Sequence, residues 1–322
     1  MSGDRITGAF VGLAVGDAAG WPAARHRAAL HAPWSRRLHR ELDAFAEERG
    51  VTTLPVPFAL NQPTAPLAVG PSDDAEWLAW TALTIAQDRA GAFLDLAGRD
   101  DLRARVSVAS ALDNLRRGLE PPASGHDNPH FFDDAAAVRA VAFGVTGRDP
   151  TADAHVTNAG DGVLGARAMA AAVAAAVTGA PAATAVEAAL AELPEDTAIG
   201  HNARTALRVA REAGGAFAAV PALDAALVDH VYSYAVAAAV TVPIALALAE
   251  VSGGSLAEAV PAAACLAAVA DSAPALTGAL TGACGGLSAV PQAWAASARR
   301  LAGCCLPELA GRDLVDISEG IA

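Results

Sequence analysis

The stretch GPSDDAEW, Gly70 to Trp77, sets Ser72, Asp73, Asp74 and Glu76 just ahead of an apolar run. Two chemistries fit that pattern. Ser72 can cap a helix beginning at Asp73, with the acids complementing the positive end of the helix dipole. Ser72, Asp73 and Asp74 can instead hold a hard cation, because magnesium takes oxygen ligands and keeps several waters. A second polar concentration, SGHDNPHFFDDAA (124–136), gathers His126, Asp127, Asn128, His130, Asp133 and Asp134. It reads either as an Asx-turn loop ahead of a helix or as a ligand-binding, acid/base loop. Histidine side chains in such a loop can bind phosphate when charged.

Three further stretches are candidates. ARHRAALHAPWSRRLHR (24–40) is the main positive patch of an acidic chain. It is either a solvated loop face or a cradle in which Arg25 and Arg27 hold an anionic group, since guanidinium forks match phosphate oxygens. DHVYSY (229–234) holds both tyrosines, and Tyr232 can supply a stacking or hydroxyl contact or pack at a helix start. Trp77 and Trp80 follow the acids and wall a cleft or fill the core.

The elements that must position these groups read as helices. The 322 residues are 53% hydrophobic and only 5% aromatic, with alanine dominating the apolar set. Alanine has the best intrinsic helix propensity, and small side chains let helices approach closely. A helix is predicted over residues 4–20, ending near Gly20 and Pro22. Residues 21–71, rich in proline, read as a long functional loop with a short helix at 35–49. Leu78, Ala82, Ile85 and Ala86 give a helix from Asp73 to Gln87 one apolar face. Further helices are predicted at 100–118, 133–144, 160–178, 182–192, 199–213, 221–250, 255–270, 274–284 and 291–302. No strand alternation, repeat or linker interrupts them. The expectation is a compact, single-domain, all-α multi-helix orthogonal bundle over 1–322.

The net charge of −13 argues against a nucleic-acid partner, despite the small cluster Arg36, Arg37 and Arg40. The apolar runs at 162–182 and 235–250 are broken by Arg167 and Pro243, so buried core helices are expected rather than membrane spans. Asp4, Arg5 and Asp17 bracket the early apolar stretch, which argues against a signal peptide. Cys265, Cys284, Cys304 and Cys305 have no zinc-finger spacing, and the adjacent pair is a poor disulfide prospect. Free thiols in a cytoplasmic protein follow.

GAFVGLAVGDAAGWP (8–22), GPSDDAEWLAWTALTIA (70–86) and DSAPALTGALTGACGGLSAVPQAW (271–294) resemble, in order and spacing, the ADP-ribosylglycohydrolase family of the dinitrogenase-reductase-activating type. AAVRAVAFG (136–144) is similar to the family's central Met-Arg-Ala-Ala-Pro stretch. The resemblance implies an all-α fold. It also implies two magnesium ions, held by the early Ser/Thr-Asp-Asp (here Ser72, Asp73, Asp74) and a late Asp-x-Asp-Thr/Ser that begins at Asp271. Such ions fix ribose hydroxyls and a water for cleavage of a ribosyl C–N or C–O bond.

The departures fall on that chemistry. The late motif reads Asp271-Ser272-Ala273-Pro274, so its second acid and its hydroxyl ligand are absent. Ala24 stands where the first loop of the family carries an acid, and Asn158 stands where its central histidine is usual. The surviving ligands Ser72, Asp73, Asp74 and Asp271 allow one magnesium ion or none. Asp133, Asp134 or His130 would replace the missing acid beside Asp74. Arg25, Arg27, His126, Asn128 and Tyr232 would contact substrate. The expected function is hydrolysis of an ADP-ribosyl or related ribosyl bond in a small-molecule or ADP-ribosylated substrate. The alternatives are an inactive ADP-ribose- or nucleotide-binding member and a metal-independent enzyme on another riboside. Oligomeric state is left open.

Overall fold

The computed structural model describes residues 2–20, 70–229 and 235–321. The predicted loop and short helix within 21–69, Arg25, Arg27 and Tyr232 lie outside the described residues. Among the described residues there are sixteen α-helices and no strand. In chain order they are α1 (Ser2–Gly20), α2 (Asp73–Thr84), α3 (Arg89–Leu94), α4 (Val106–Arg116), α5 (Ala123–His126), α6 (Ala135–Thr146), α7 (Thr151–Thr157) and α8 (Asp161–Val177). There follow α9 (Ala182–Ala191), α10 (Ala198–Ala213), α11 (Ala216–Leu227), α12 (Ala238–Val251), α13 (Leu256–Ala264), α14 (Ala273–Gly285), α15 (Gln292–Ala298) and α16 (Leu314–Glu319). None is long and apolar enough to cross a membrane.

The central contact is the antiparallel pair α1 and α14. Its seam is built from glycines. A Cβ on Gly8, Gly12 or Gly16 would lie 2.3, 2.2 or 1.9 Å from the backbone oxygens of Gly282, Gly278 and Pro274. Only hydrogen fits there, so the two backbones touch. The one-turn spacing of Gly8, Gly12, Gly16 and Gly20 keeps that seam on one face of α1. The consequence is positional: the end of α1, with Asp17, is carried beside the start of α14, with Asp271 and Ser272.

Alanine and valine fill most of the surrounding core, with α14 also packed on α8, α12 and α13. Trp77 and Trp80 are core residues, 4% and 6% exposed, and both pack against Phe93. A buried ionic knot sits behind them. Asp153 accepts from Arg89 Nε at 2.9 Å and from Arg139 Nε at 2.8 Å, while Arg139 also donates to the Thr157 hydroxyl at 2.7 Å. Arg139 is the arginine of the central stretch read from the sequence, and it is fully buried.

The helix predicted over 221–250 is two helices, α11 and α12. Apolar continuity suggested one, but the chain between them has a different commitment. Asp134 N–H donates to Val236 O at 2.8 Å and Ala238 N–H to Phe132 O at 3.1 Å, which draws 236–238 out as extended backbone beside 132–134. The short helices α3, α5, α7 and α16 have too few residues to show a hydrophobic period. The helix predicted over 100–118 begins later, at Val106, because Arg105 takes extended backbone at its N-cap.

Candidate functional site

The sequence of α2 opens with acids, and its first turn is held from another helix. Asp17, near the end of α1, accepts from Ser72 N–H at 2.7 Å, the Ser72 hydroxyl at 2.8 Å and Ala75 N–H at 3.2 Å. Ser72 therefore occupies the N-cap position without accepting a backbone N–H of its own helix through its side chain. Its hydroxyl lies between Asp17 and Asp73 instead, with Asp73 Oδ1 at 3.1 Å. The capping role read for Ser72 belongs to Asp17, which the Gly-Asp pair at 16–17 places within reach.

Asp73 and Asp74 face a residue that the sequence reading passed over. Arg105 donates through Nε to Asp73 Oδ2 at 3.2 Å and through Nη2 to Asp74 Oδ1 at 2.5 Å. Nη2 also reaches the Ser272 hydroxyl at 2.7 Å, and Nη1 donates to Asp134 Oδ1. Asp271, next to Ser272, acts on the same guanidinium through its charge. The starts of α2, α4, α6 and α14 thus meet at one guanidinium, on a side chain that is 8% exposed. Helix N-termini carry partial positive charge, so they favour this density of carboxylates. Nothing in the local sequence distinguishes Arg105 from the neighbouring Arg99 and Arg103, which point to exposed partners. Only the assembled fold singles it out.

Burial and neighbouring charge shift the protonation of this centre. Burial lowers the affinity of Arg105 for its proton, but Asp74, Asp134, Asp73 and Asp271 outweigh that and push it well up. Burial raises Asp74 well above the usual carboxylate range against the pull of Arg105, with Asp73, Asp17 and Asp134 adding to the rise. Asp134 is pushed up to about 7 by burial, again opposed by Arg105 and reinforced by Asp133. Asp74 and Asp134, buried beside one guanidinium, retain protons that exposed acids would lose.

The other predicted residues separate around this centre. Asp133 and Asp134 are adjacent in sequence but turn to different partners. Asp133 Oδ1 accepts from the Asn158 amide at 2.8 Å and from Ala135 N–H at 3.1 Å. Asn158, at the position where a histidine was noted as usual, serves as a brace for residues 131–133. Asn128 is 6% exposed and donates to Ser107 O and Thr157 O at 3.0 and 2.8 Å, so its amide ties backbone together. His126 is exposed and stacked on Phe131, with ring centroids 6.1 Å apart. His130 is half-buried with its ring beside Phe132.

Comparison with known proteins supplies the context. The ADP-ribosylglycohydrolase family model matches residues 2–320. The chain belongs to the ADP-ribosylglycohydrolase family. Among solved structures it is similar to one described as an ADP-ribosylglycohydrolase-related protein complex, at 20% identity and a TM-score of 0.60 over 99% of this chain and 97% of that one. That likeness shows the fold. No curated protein matches the chain.

The family reaction is the hydrolysis of ADP-ribosyl-type glycosidic bonds, and its members usually use divalent metals. The donor set in this chain does not fit that use. Magnesium needs near-octahedral oxygen ligands at about 2.0–2.1 Å, several of them water. Here Asp73, Asp74 and Ser272 direct oxygens onto a fixed positive charge, and an ion among them would stand against the guanidinium. At the start of α14, Ala273 and Pro274 add no oxygen donor.

A second group of metal-ligand types, Glu76, Cys304 and Cys305, has its ligand atoms within 4.8 Å of one another. The Glu76 carboxylate already accepts backbone N–H groups of Cys304, Cys305 and Leu306 at 2.7, 2.7 and 3.0 Å. It anchors that turn to α2. The Cys305 thiol is driven up by its bond with Cys304 and by burial, which leaves it protonated. All four cysteines are free, as their spacing indicated.

Proposed function

We propose that this family member binds an ADP-ribose-like or nucleotide ligand without magnesium and does not carry out the metal-dependent hydrolysis. One observation carries the reading: the Arg105 guanidinium engages the carboxylates of Asp73, Asp74 and Asp134 and the hydroxyl of Ser272. A guanidinium can donate hydrogen bonds and neutralise charge. It cannot activate a coordinated water, which is the step a divalent ion supplies. The sequence agrees, since Ala24 and Ala273 stand at two acid positions of the family pattern.

The ligand chemistry is inferred from the exposed edge of the cluster and from the loop that leads to Asp134. Asp271 and Arg105 keep the cluster's largest residual exposure, at 7% and 8%. Their polar edges suit ribose hydroxyls, as acceptor and donor respectively. The exposed His126–Phe131 stack offers an aromatic face for a base. Arg25 and Arg27 remain the proposed pyrophosphate contacts.

The test is calorimetric titration of ADP-ribose in EDTA, alongside turnover of ADP-ribosyl-arginine and ADP-ribosyl-serine peptides. Binding in EDTA without turnover in either EDTA or magnesium is the expected result. Magnesium-dependent turnover that disappears in Asp73→Ala overturns the reading, and so does the absence of any binding. A second reading, metal-independent hydrolysis, is favoured by the Asp134 carboxyl, which holds a proton to about 7. Turnover in EDTA that Asp134→Asn abolishes would establish that reading instead.

A further inference from the structure

We propose that Arg105 is a tethered replacement for a bound metal ion: its guanidinium does the structural work of a divalent cation, and removing it creates a divalent-cation site. The proposal rests on the metal-free reading of the centre and goes beyond it by assigning the cation's work to one residue and predicting a latent site beneath it. The partners of Arg105 come from separate parts of the chain. Asp73 and Asp74 begin α2, Asp134 is the N-cap of α6, and Ser272 is the N-cap of α14, 167 residues away. All three guanidinium nitrogens are used, one of them twice. This is the role of an ion that gathers ligands from distant segments, performed by the side chain of the residue that precedes α4.

The charge and the geometry carry the latent site. Asp73, Asp74, Asp134 and Asp271 all act on this one positive group. The arginine satisfies only part of their demand, because Asp74 Oδ2 is fully buried and has no hydrogen-bond partner. Truncating Arg105 removes the positive group that these four acids share. It also leaves a space bordered by oxygen donors, the chemistry that selects hard divalent ions. A divalent ion in that space would satisfy more of the carboxylate charge than the arginine does. The variant should therefore be unstable alone and regain stability from the ion, whereas the native protein should ignore it.

The experiment is thermal unfolding of the wild-type chain, Arg105→Ala and Arg105→Gln in EDTA, MgCl2, MnCl2, and NaCl at matched ionic strength. Manganese binding is read separately by its paramagnetic resonance, and no nucleotide is present. The wild-type midpoint should be the same in all four conditions, with no bound manganese. Both variants should unfold several degrees lower in EDTA, recover several degrees in manganese or magnesium, and bind about one manganese per chain. A variant that does not fold in EDTA but folds when manganese is supplied during refolding supports the proposal equally. Stabilisation of the wild type by either ion overturns it. Variants that neither recover nor bind manganese, folded or not, also overturn it. The ADP-ribose titration uses only wild-type protein in EDTA, so failure of ligand binding is distinguishable from failure here.

Discussion

Gly12→Ala tests the claim that direct backbone contact between α1 and α14 builds the site. The added methyl would lie 2.2 Å from Gly278 O and 3.0 Å from its carbonyl carbon. Both obstacles are backbone, so no rotamer change relieves them. A carbon–oxygen contact needs roughly 3.3 Å or more, and the helices must separate by about an ångström along the seam. Overpacking of this kind costs about 1–3 kcal/mol, and the separation also loosens the apolar contacts beside it. Alanine returns up to about 1 kcal/mol through its better helix propensity. The net expectation is a destabilisation of about 2 kcal/mol. Gly3→Ala is the matched control, on the same helix with nothing within 4 Å of its added Cβ. It should be neutral or stabilising by up to about 1 kcal/mol. Urea unfolding of the two variants beside the wild type measures both values. Equal stability of Gly12→Ala and Gly3→Ala would refute the contact argument, and with it the route by which Asp17 reaches Ser72.

Two other outcomes follow from buried charge. Asp153→Ala leaves Arg89 and Arg139 facing each other without their shared carboxylate, and should cost about 3–5 kcal/mol in equilibrium unfolding. Asp134 gives a pH dependence whose sign is fixed by its raised pKa. Its carboxyl titrates near 3.9 when unfolded and at about 7 when folded, so the folded state binds more protons between those values. Stability from this group is full at low pH and is lost as pH rises through about 7. The unfolding midpoint should fall between about pH 4 and 7, the interval in which the folded carboxyl keeps a proton that the unfolded one has lost. Arg105, Asp133, Asp271 and the Thr241 hydroxyl all act on Asp134, and Asp134→Asn should flatten the slope.

Helical content was legible because it is a local property. Alanine-rich runs with three- and four-residue apolar spacing form helices almost wherever they are placed, and α2, α6, α8, α9, α10 and α14 fall close to their predicted limits. The break between α11 and α12 was not legible. Backbone hydrogen bonds from 236–238 to the site loop compete with helix continuation, and their partners are about 100 residues away. The family was readable from the order of short motifs.

For the site, the sequence determined which acids are present and which ligands are missing. Ser72, Asp73, Asp74, Asp134 and Asp271 were all named from residue type and spacing or from the family pattern. What the acids face was decided only by tertiary structure. A carboxylate's partner depends on the positive group that shares its burial, and burial is set by distant segments meeting. Arg105 looks like any arginine of the helix predicted over 100–118 until the glycine seam of α1 and α14 brings Asp17, Ser72 and Ser272 to one place. At that point its guanidinium becomes the centre of the cluster.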